Sequence, residues 1–139
     1  MSYKFGIHLM VWSGQAGARE LALLPAIKDM GYDGVEIPIF DPDALEAAAV
    51  RAALAQSGLA CTASTALPEG VSLIDADIAD AGVAWLERTV AATAELGAPV
   101  LCGPLALPVG ERRGRGYTEA EWACCVQSLL RVGRTAEKL

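Results

Sequence analysis

What most constrains this chain is a unit repeated four times: a short, nearly unbroken apolar run followed by a longer stretch with helical periodicity. The first run extends from Tyr3 to Met10 and the second lies within Gly34 to Phe40; the third is Leu59 to Ser64 and the fourth Pro99 to Gly103. Runs this brief and this uniformly apolar suit parallel strands covered on both faces. The stretches between them predict helices. Residues 19–30 form the first, with Pro25 set to kink it or delay its start. Asp41-Pro42-Asp43 offers an N-cap and a proline at the first helical position for the second, which runs to Gln56. The third covers residues 77–96, with Val83, Leu86 and Val90 as its buried stripe and Ala94 continuing it. Thr118-Glu119-Ala120-Glu121 fits a capping box that opens the fourth, along which Trp122, Val126, Leu129 and Leu130 line one face.

The joints repeat as well. Gly31, Gly58 and Gly97 each follow the end of a helix, where a left-handed residue stops it, and a strand follows within a few residues. The fourth helix reaches Lys138-Leu139, and the pattern would next place a glycine and a fifth strand. Alternation this regular implies parallel strands joined by right-handed crossovers. Four such units make either a small open sandwich or half of a barrel, and periodicity alone does not choose between them. At 139 residues the chain can hold one domain with a single core. It falls short of the roughly 250 residues of a full (β/α)₈ barrel. Hydrophobic residues make up 53% and mean hydropathy is +0.35. Helical alanine accounts for part of that, and the rest points to apolar surface that the chain does not bury alone.

A net charge of −6 argues against a nucleic-acid groove or an anionic membrane surface as partner. The N-terminus, with Lys4 and a short apolar run to Trp12, offers neither a signal-peptide core nor a cleavage site, and no apolar stretch approaches membrane-spanning length. A soluble, cytoplasmic protein is expected. Cys61, Cys102, Cys124 and Cys125 form no C-x-x-C pair, and His8 is the one histidine, which gives little support to a zinc cluster; reduced, buried thiols are expected.

Particular residues then choose the architecture. Phe5-Gly6-Ile7-His8 followed by Trp12-Ser13 resembles the first strand and loop of the xylose isomerase-like sugar phosphate isomerase/epimerase superfamily, nearest to its D-tagatose/D-psicose (ketose) 3-epimerases. Gly31-Tyr32-Asp33-Gly34-Val35-Glu36-Ile37 is similar to the second-strand signature. Ala81-Gly82-Val83-Ala84-Trp85-Leu86-Glu87-Arg88 and Leu96-Gly97-Ala98-Pro99-Val100 resemble the third helix and fourth strand. The resemblance covers nearly the whole chain in order. It implies an α/β fold: four βα units of a (β/α)₈ TIM barrel, with residues 1–139 as a single incomplete domain, the N-terminal half.

In the intact family barrel the resemblance implies a divalent metal (manganese, magnesium or cobalt) holding two oxygens of an open-chain sugar, and two glutamates that remove and return a proton through an enediolate. Those glutamates and the metal ligands belong to the second half of such a barrel. No catalytic or metal-binding residue is therefore expected in this chain, and alone it should be inactive. What carries over is a substrate-facing wall. Alternation puts Gly6, His8 and Met10 on one face, toward the barrel interior, where a neutral His8 imidazole can hydrogen-bond a sugar hydroxyl or simply be a satisfied core histidine. Trp12 occupies a loop position where family members set an aromatic ring against the sugar, and an apolar packing role competes. Glu36, a carboxylate between apolar neighbours, needs partners, either at the substrate or in a structural network. Ser64 falls at a small pocket-lining position, or caps a turn.

Leu107 stands where the epimerases commonly carry an aromatic residue. The cluster Glu111-Arg112-Arg113-Gly114-Arg115-Gly116 either grips a phosphate, forms a mobile lid, or is a solvated loop. Expected partners are a small sugar or sugar phosphate, and either a missing C-terminal half or a second copy of the chain. Two rival readings stay open: a self-associating half-barrel used for binding or assembly, with open sheet edges at the first and fourth strands, and another superfamily member such as a hydroxypyruvate isomerase or inosose dehydratase. The acidic composition disfavours an apurinic endonuclease relative.

Overall fold

In the computed structural model, which describes residues 3–139, four short strands lie side by side in the order β1-β2-β3-β4. They are β1 (Gly6–His8), β2 (Gly34–Pro38), β3 (Ala60–Ser64) and β4 (Leu101–Cys102). β1 pairs with β2 and β2 with β3, both in parallel. Helices occupy the connections: α1 (Ala18–Leu21) and α2 (Leu24–Asp29), then α3 (Ala47–Ser57), α4 (Ala79–Leu96) and α5 (Glu119–Ala136). The spatial order of the strands follows the chain order with no reversal. Consecutive units of a (β/α)₈ barrel are arranged this way, whereas an open doubly wound sheet reverses its strand order at a switch point. Among the described residues no helix is long and apolar enough to cross a membrane.

The helix stops fall where the glycines stand: Gly31, Gly58 and Gly97 have φ of 93°, 63° and 79°. Other boundaries move, each for a local reason. The first strand is short because His8 caps a 3₁₀ turn over Leu9–Val11, its Nδ1 accepting the Met10 N–H at 2.9 Å. That turn takes Met10 off the face shared by Gly6 and His8 and leaves it exposed. The first helical stretch is two helices, with Pro25 in the opening turn of α2, where its missing N–H costs nothing. Asp41-Pro42-Asp43 does not start α3. The Asp41 carboxylate accepts the Asp43 N–H at 3.1 Å and closes a turn of its own, and the helix begins at Ala47.

The chain divides into two compact units, one formed by the residues up to Ser64 with Ala92–Leu101, the other by Thr65–Ala91 with Cys102–Leu139. In the first, Ile37 from β2, Leu24 and Ile27 from α2, Val50 and Leu54 from α3, and Leu96 pack one core. Here the Ala63 N–H donates to the Val100 carbonyl, holding β3 to the segment that enters β4. In the second, Leu73, Val83, Leu86 and Val132 form a separate core. Fully buried aliphatic side chains of this kind each stabilise by about 1.5–3 kcal/mol. The stripe of α4 follows Val83, Leu86 and Thr89, then Thr93 and Leu96; Ala94 points outward.

α5 opens where the pattern places it. Its capping box is present, with the Thr118 hydroxyl accepting the Glu121 N–H and the Glu121 carboxylate accepting the Thr118 N–H. The expected apolar face is present and lies outward. Trp122, Val126, Leu129 and Leu130 are exposed, and α5 packs instead through Cys125, Ser128 and Val132.

Two predictions follow from this framework. At Gly103, φ is 147° and an added Cβ would lie 1.8 Å from the Thr65 carbonyl oxygen. Gly103→Ala should therefore lower unfolding stability by about 3 kcal/mol or more in a denaturant titration. The second concerns Glu121, whose carboxyl is lowered from 4.5 to about 2, first by its hydrogen bond from Arg115 and then by the Thr118 N–H. A depressed folded-state value means its contribution is complete above about pH 4.5 and is lost as pH falls toward about 2. Glu121→Gln should flatten the fall of Tm across that window, measured by circular dichroism.

Candidate functional site

The register of the first three strands builds a polar row. His8 lies beside Glu36, and Glu36 beside Thr62, while Gly6, Gly34 and Ala60 form the row two residues earlier. Residues two apart on a strand share a face, so Ser64 follows Thr62 on the same side. Side chains then link across the strands. His8 Nε2 is 2.6 Å from Ser64 Oγ and 3.4 Å from Glu36 Oε1, and the Thr62 hydroxyl donates to Glu36 Oε2 at 2.9 Å. His8, Glu36 and Ser64 are thus brought together, and Thr62 joins them. Thr62 was not singled out from sequence, although its place two residues before Ser64 on a strand was a usable signal.

The Met10 N–H fixes the chemistry of the imidazole. Because Nδ1 accepts that bond, the proton of the neutral ring resides on Nε2, which donates toward Ser64 with Glu36 as a second acceptor. Glu36 is the carboxylate of a satisfied network, and no buried side-chain polar atom among the described residues lacks a partner. The His8 and Glu36 side chains remain 28% and 29% exposed, open enough for a polar ligand to reach them.

A hollow of about 370 Å³ runs along the N-terminal half of the same strands, lined by Phe5, Gly6, Gly34 and Ala60 and reaching His8, Glu36 and Thr62 at one end. It exists because the row of small residues puts no large side chain there. An added Cβ at Gly34 would lie 2.8 Å from the Ala60 carbonyl oxygen. Of the polar quartet, His8 and Ser64 stand at the C-terminal ends of β1 and β3, while Glu36 and Thr62 lie mid-strand and, with His8, line one end of this hollow.

Trp12 is half-exposed at the end of the 3₁₀ turn, and it is absent from the lining of the hollow. Leu107 is buried, a packing residue of its unit. The arginine cluster is largely committed. Arg115 grips Glu121 through both guanidinium nitrogens at 2.7 and 2.9 Å, and Arg113 lies 3.8 Å from Asp75. The four cysteines are free thiols; Cys102 is exposed and the others half-buried, so the expectation of burial holds only in part. Burial pushes the Cys61 and Cys125 thiols up, away from the reactive thiolate.

Among the described residues, no three His, Cys, Asp or Glu side chains converge on a point where a metal would sit. With its proton on Nε2, His8 presents a donor to the pocket, and a metal ligand needs a lone pair there. The described residues therefore offer no grouping that fits a metal centre.

Residues 24–139 match the family model of the xylose isomerase-like TIM barrel. The chain belongs to that family. Over 97% of its length it is 34% identical to a ketose 3-epimerase of Arthrobacter globiformis, and the match takes in 46% of that protein. An L-ribulose 3-epimerase structure superposes with a TM-score of 0.87 at 29% identity, covering 99% of this chain and 47% of that one. A D-allulose 3-epimerase of Methylomonas sp., solved in complex with D-allulose, gives a TM-score of 0.82 at 25% identity, with 96% and 47% covered. The chain spans about half the length of these relatives.

In a xylose isomerase-like barrel, as in TIM barrels generally, chemistry is sited at the C-terminal ends of the strands, and the opposite end serves stability. By that rule the end of the polar row carried by His8 and Ser64 is the candidate for a functional role. His8 is the single histidine, so the assignment can be read directly. A two-bond ¹H–¹⁵N correlation spectrum of the chain should show one protonated and one bare imidazole nitrogen, with the proton on Nε2. A proton on Nδ1, or fast exchange between both forms, would contradict the Met10 bond.

Proposed function

We propose that this chain supplies the substrate-binding wall of a ketose 3-epimerase-type sugar isomerase acting in the cytoplasm. On this reading residues 1–139 are the N-terminal part of a barrel whose remaining strands carry the proton-moving glutamates and the ligands of a divalent metal. The observation that carries the reading is the His8–Glu36–Thr62–Ser64 row across three adjacent strands, with His8 and Ser64 at the C-terminal ends of β1 and β3. Its support is the 34% identity to a ketose 3-epimerase along nearly the whole chain.

The row is suited to an open-chain sugar. His8 offers an N–H, Glu36 an acceptor, and Ser64 a hydroxyl able to do both, which together match neighbouring sugar hydroxyls. Because the donors and acceptors are already held by one another, a sugar oxygen inserts into an existing network and meets groups oriented in advance. Trp12, at the end of the 3₁₀ turn, gives an aromatic surface for the apolar side of the sugar carbons. Substrate orientation is the role of these groups. Proton abstraction at the carbon beside the carbonyl and stabilisation of the resulting oxyanion fall to groups outside this chain.

Titration of the chain with D-allulose, D-tagatose or L-ribulose should shift the His8 ring resonances saturably in the millimolar range, a few kcal/mol of binding. Ser64→Ala and Thr62→Val should weaken that response about three- to tenfold with the fold retained. Epimerisation should be undetectable with the chain alone, with or without added manganese. Turnover by the unaided chain, or ring resonances indifferent to every ketose, would sink the proposal.

A further inference from the structure

We infer that the Leu9–Met10 peptide is a proton-operated switch: a neutral His8 holds the 3₁₀ turn closed, and an imidazolium opens it and releases Trp12. The turn hangs on one peptide group. Its N–H, on Met10, donates to His8 Nδ1 at 2.9 Å. Its carbonyl, on Leu9, accepts the Trp12 N–H at 2.9 Å and the Ser13 N–H at 3.0 Å. A peptide group is planar and rigid, so its two ends cannot turn separately. A rotation that takes the N–H off the ring also swings the carbonyl away from Trp12 and Ser13.

Protonation forces that rotation. An imidazolium carries a hydrogen on both nitrogens, so Nδ1 no longer has a lone pair for the Met10 N–H. Two N–H groups are left pointing at each other across 2.9 Å. Either the ring or the turn must give, and the ring is the better held. Its Nε2 lies 2.6 Å from Ser64 Oγ and 3.4 Å from Glu36 Oε1, and a carboxylate holds an imidazolium more strongly than a neutral ring. Glu36 is fixed in turn by the Thr62 hydroxyl. Among the described residues Glu36, on β2, is the charged group facing the imidazole. β3 offers it the neutral Ser64 hydroxyl, and Leu9-Met10-Val11 brings no titratable side chain. The Leu9 side chain is wholly buried, so its Cα stays in place and the peptide beyond it pivots. The turn is therefore closed with the ring neutral and opens as acid protonates it. A loss of sugar affinity in acid, through the displaced Trp12, rests on the function proposed above; the switch itself does not.

The test is made without sugar, so its outcome is independent of the sugar reading. The chain is titrated from about pH 8 to pH 5, the range over which imidazoles change charge, with the His8 ring and the backbone amides followed by ¹H–¹⁵N spectroscopy. Trp12 and Ser13 are the telling amides, because they bond to the Leu9 carbonyl and not to the ring. The reference is His8→Asn, whose carboxamide oxygen can accept the Met10 N–H but does not titrate. The Asp41 and Asp75 carboxylates accept N–H groups two residues on in the same way. Relative to that variant at the same pH, hydrogen exchange at Met10, Trp12 and Ser13 should quicken about fivefold as the ring protonates, what one hydrogen bond supplies. The midpoint should coincide with that of the His8 ring. Should His8→Asn disturb the circular dichroism spectrum, the coincidence of ring and amide midpoints in the unaltered chain decides alone. Trp12 and Ser13 amides that stay protected while the ring titrates would overturn the switch, as would a ring that takes up no proton across the range. A response that persists in His8→Asn would overturn it too, and would belong to Glu36 or to the chain at large.

Discussion

The in-line parallel register of β1, β2 and β3 is the constraint on which the site rests. It sets His8, Glu36 and Thr62 side by side, one residue per strand, with His8 the last residue of β1 and the other two mid-strand. A slip of one residue in either pairing would turn a polar side chain into the aliphatic layer beneath the helices, at a desolvation cost of several kcal/mol. Register is held in turn by packing. Val35, Ile37 and Ala63 alternate with the polar row and are almost wholly buried in the core of their unit. The same alternation that drives the sheet onto its helices therefore delivers the polar groups to the opposite face. Stability and site geometry are two sides of one pattern.

A second constraint is the single bond from the Met10 N–H to His8 Nδ1. It ends β1 after three residues, starts the 3₁₀ turn, and selects the imidazole tautomer in one step. Backbone thus decides side-chain chemistry. The neighbouring Ser64 hydroxyl and Glu36 carboxylate are acceptors suited to the Nε2 proton, and Thr62 holds Glu36 from the other side. Four residues from three strands form a chain of donors and acceptors with little freedom to rearrange.

Much of this was legible in the sequence, because the signals involved are local. The repeated strand–helix unit, the three glycine stops and the capping box of α5 depend on near neighbours, and all are found where the pattern places them. His8, Glu36 and Ser64 could be named from strand alternation and family likeness. Thr62 could not be ranked above other strand threonines until the register put it beside Glu36. The errors share a cause. Extending β1 to Met10 and starting a helix at Asp41 each extrapolated a local pattern across a competing interaction: a ring nitrogen taking a backbone N–H, and an aspartate closing its own turn. In each case the competitor is a short hydrogen bond that periodicity does not encode.

The arginine cluster shows how the structure narrows the chemistry further. In sequence, Arg112, Arg113 and Arg115 read equally as a phosphate grip, a lid or a solvated loop. In the fold, Arg115 is bound at both nitrogens to Glu121, the residue that also closes the capping box, and Arg113 reaches toward Asp75 and Glu121. A phosphate recruiting these two guanidinium groups would have to displace carboxylates already paired with them, and would uncap α5 in doing so. That cost sets the cluster to work on the helix start, with Arg115 bridging loop and helix. The His8 row carries no guanidinium or ammonium group, only one imidazole, one carboxylate and two hydroxyls. Donors and acceptors of that kind recognise neutral hydroxyls better than a dianion, which the Glu36 carboxylate would repel. Under the proposed function, then, the row suits an unphosphorylated sugar, and two of the three arginines that first suggested otherwise are engaged by the architecture.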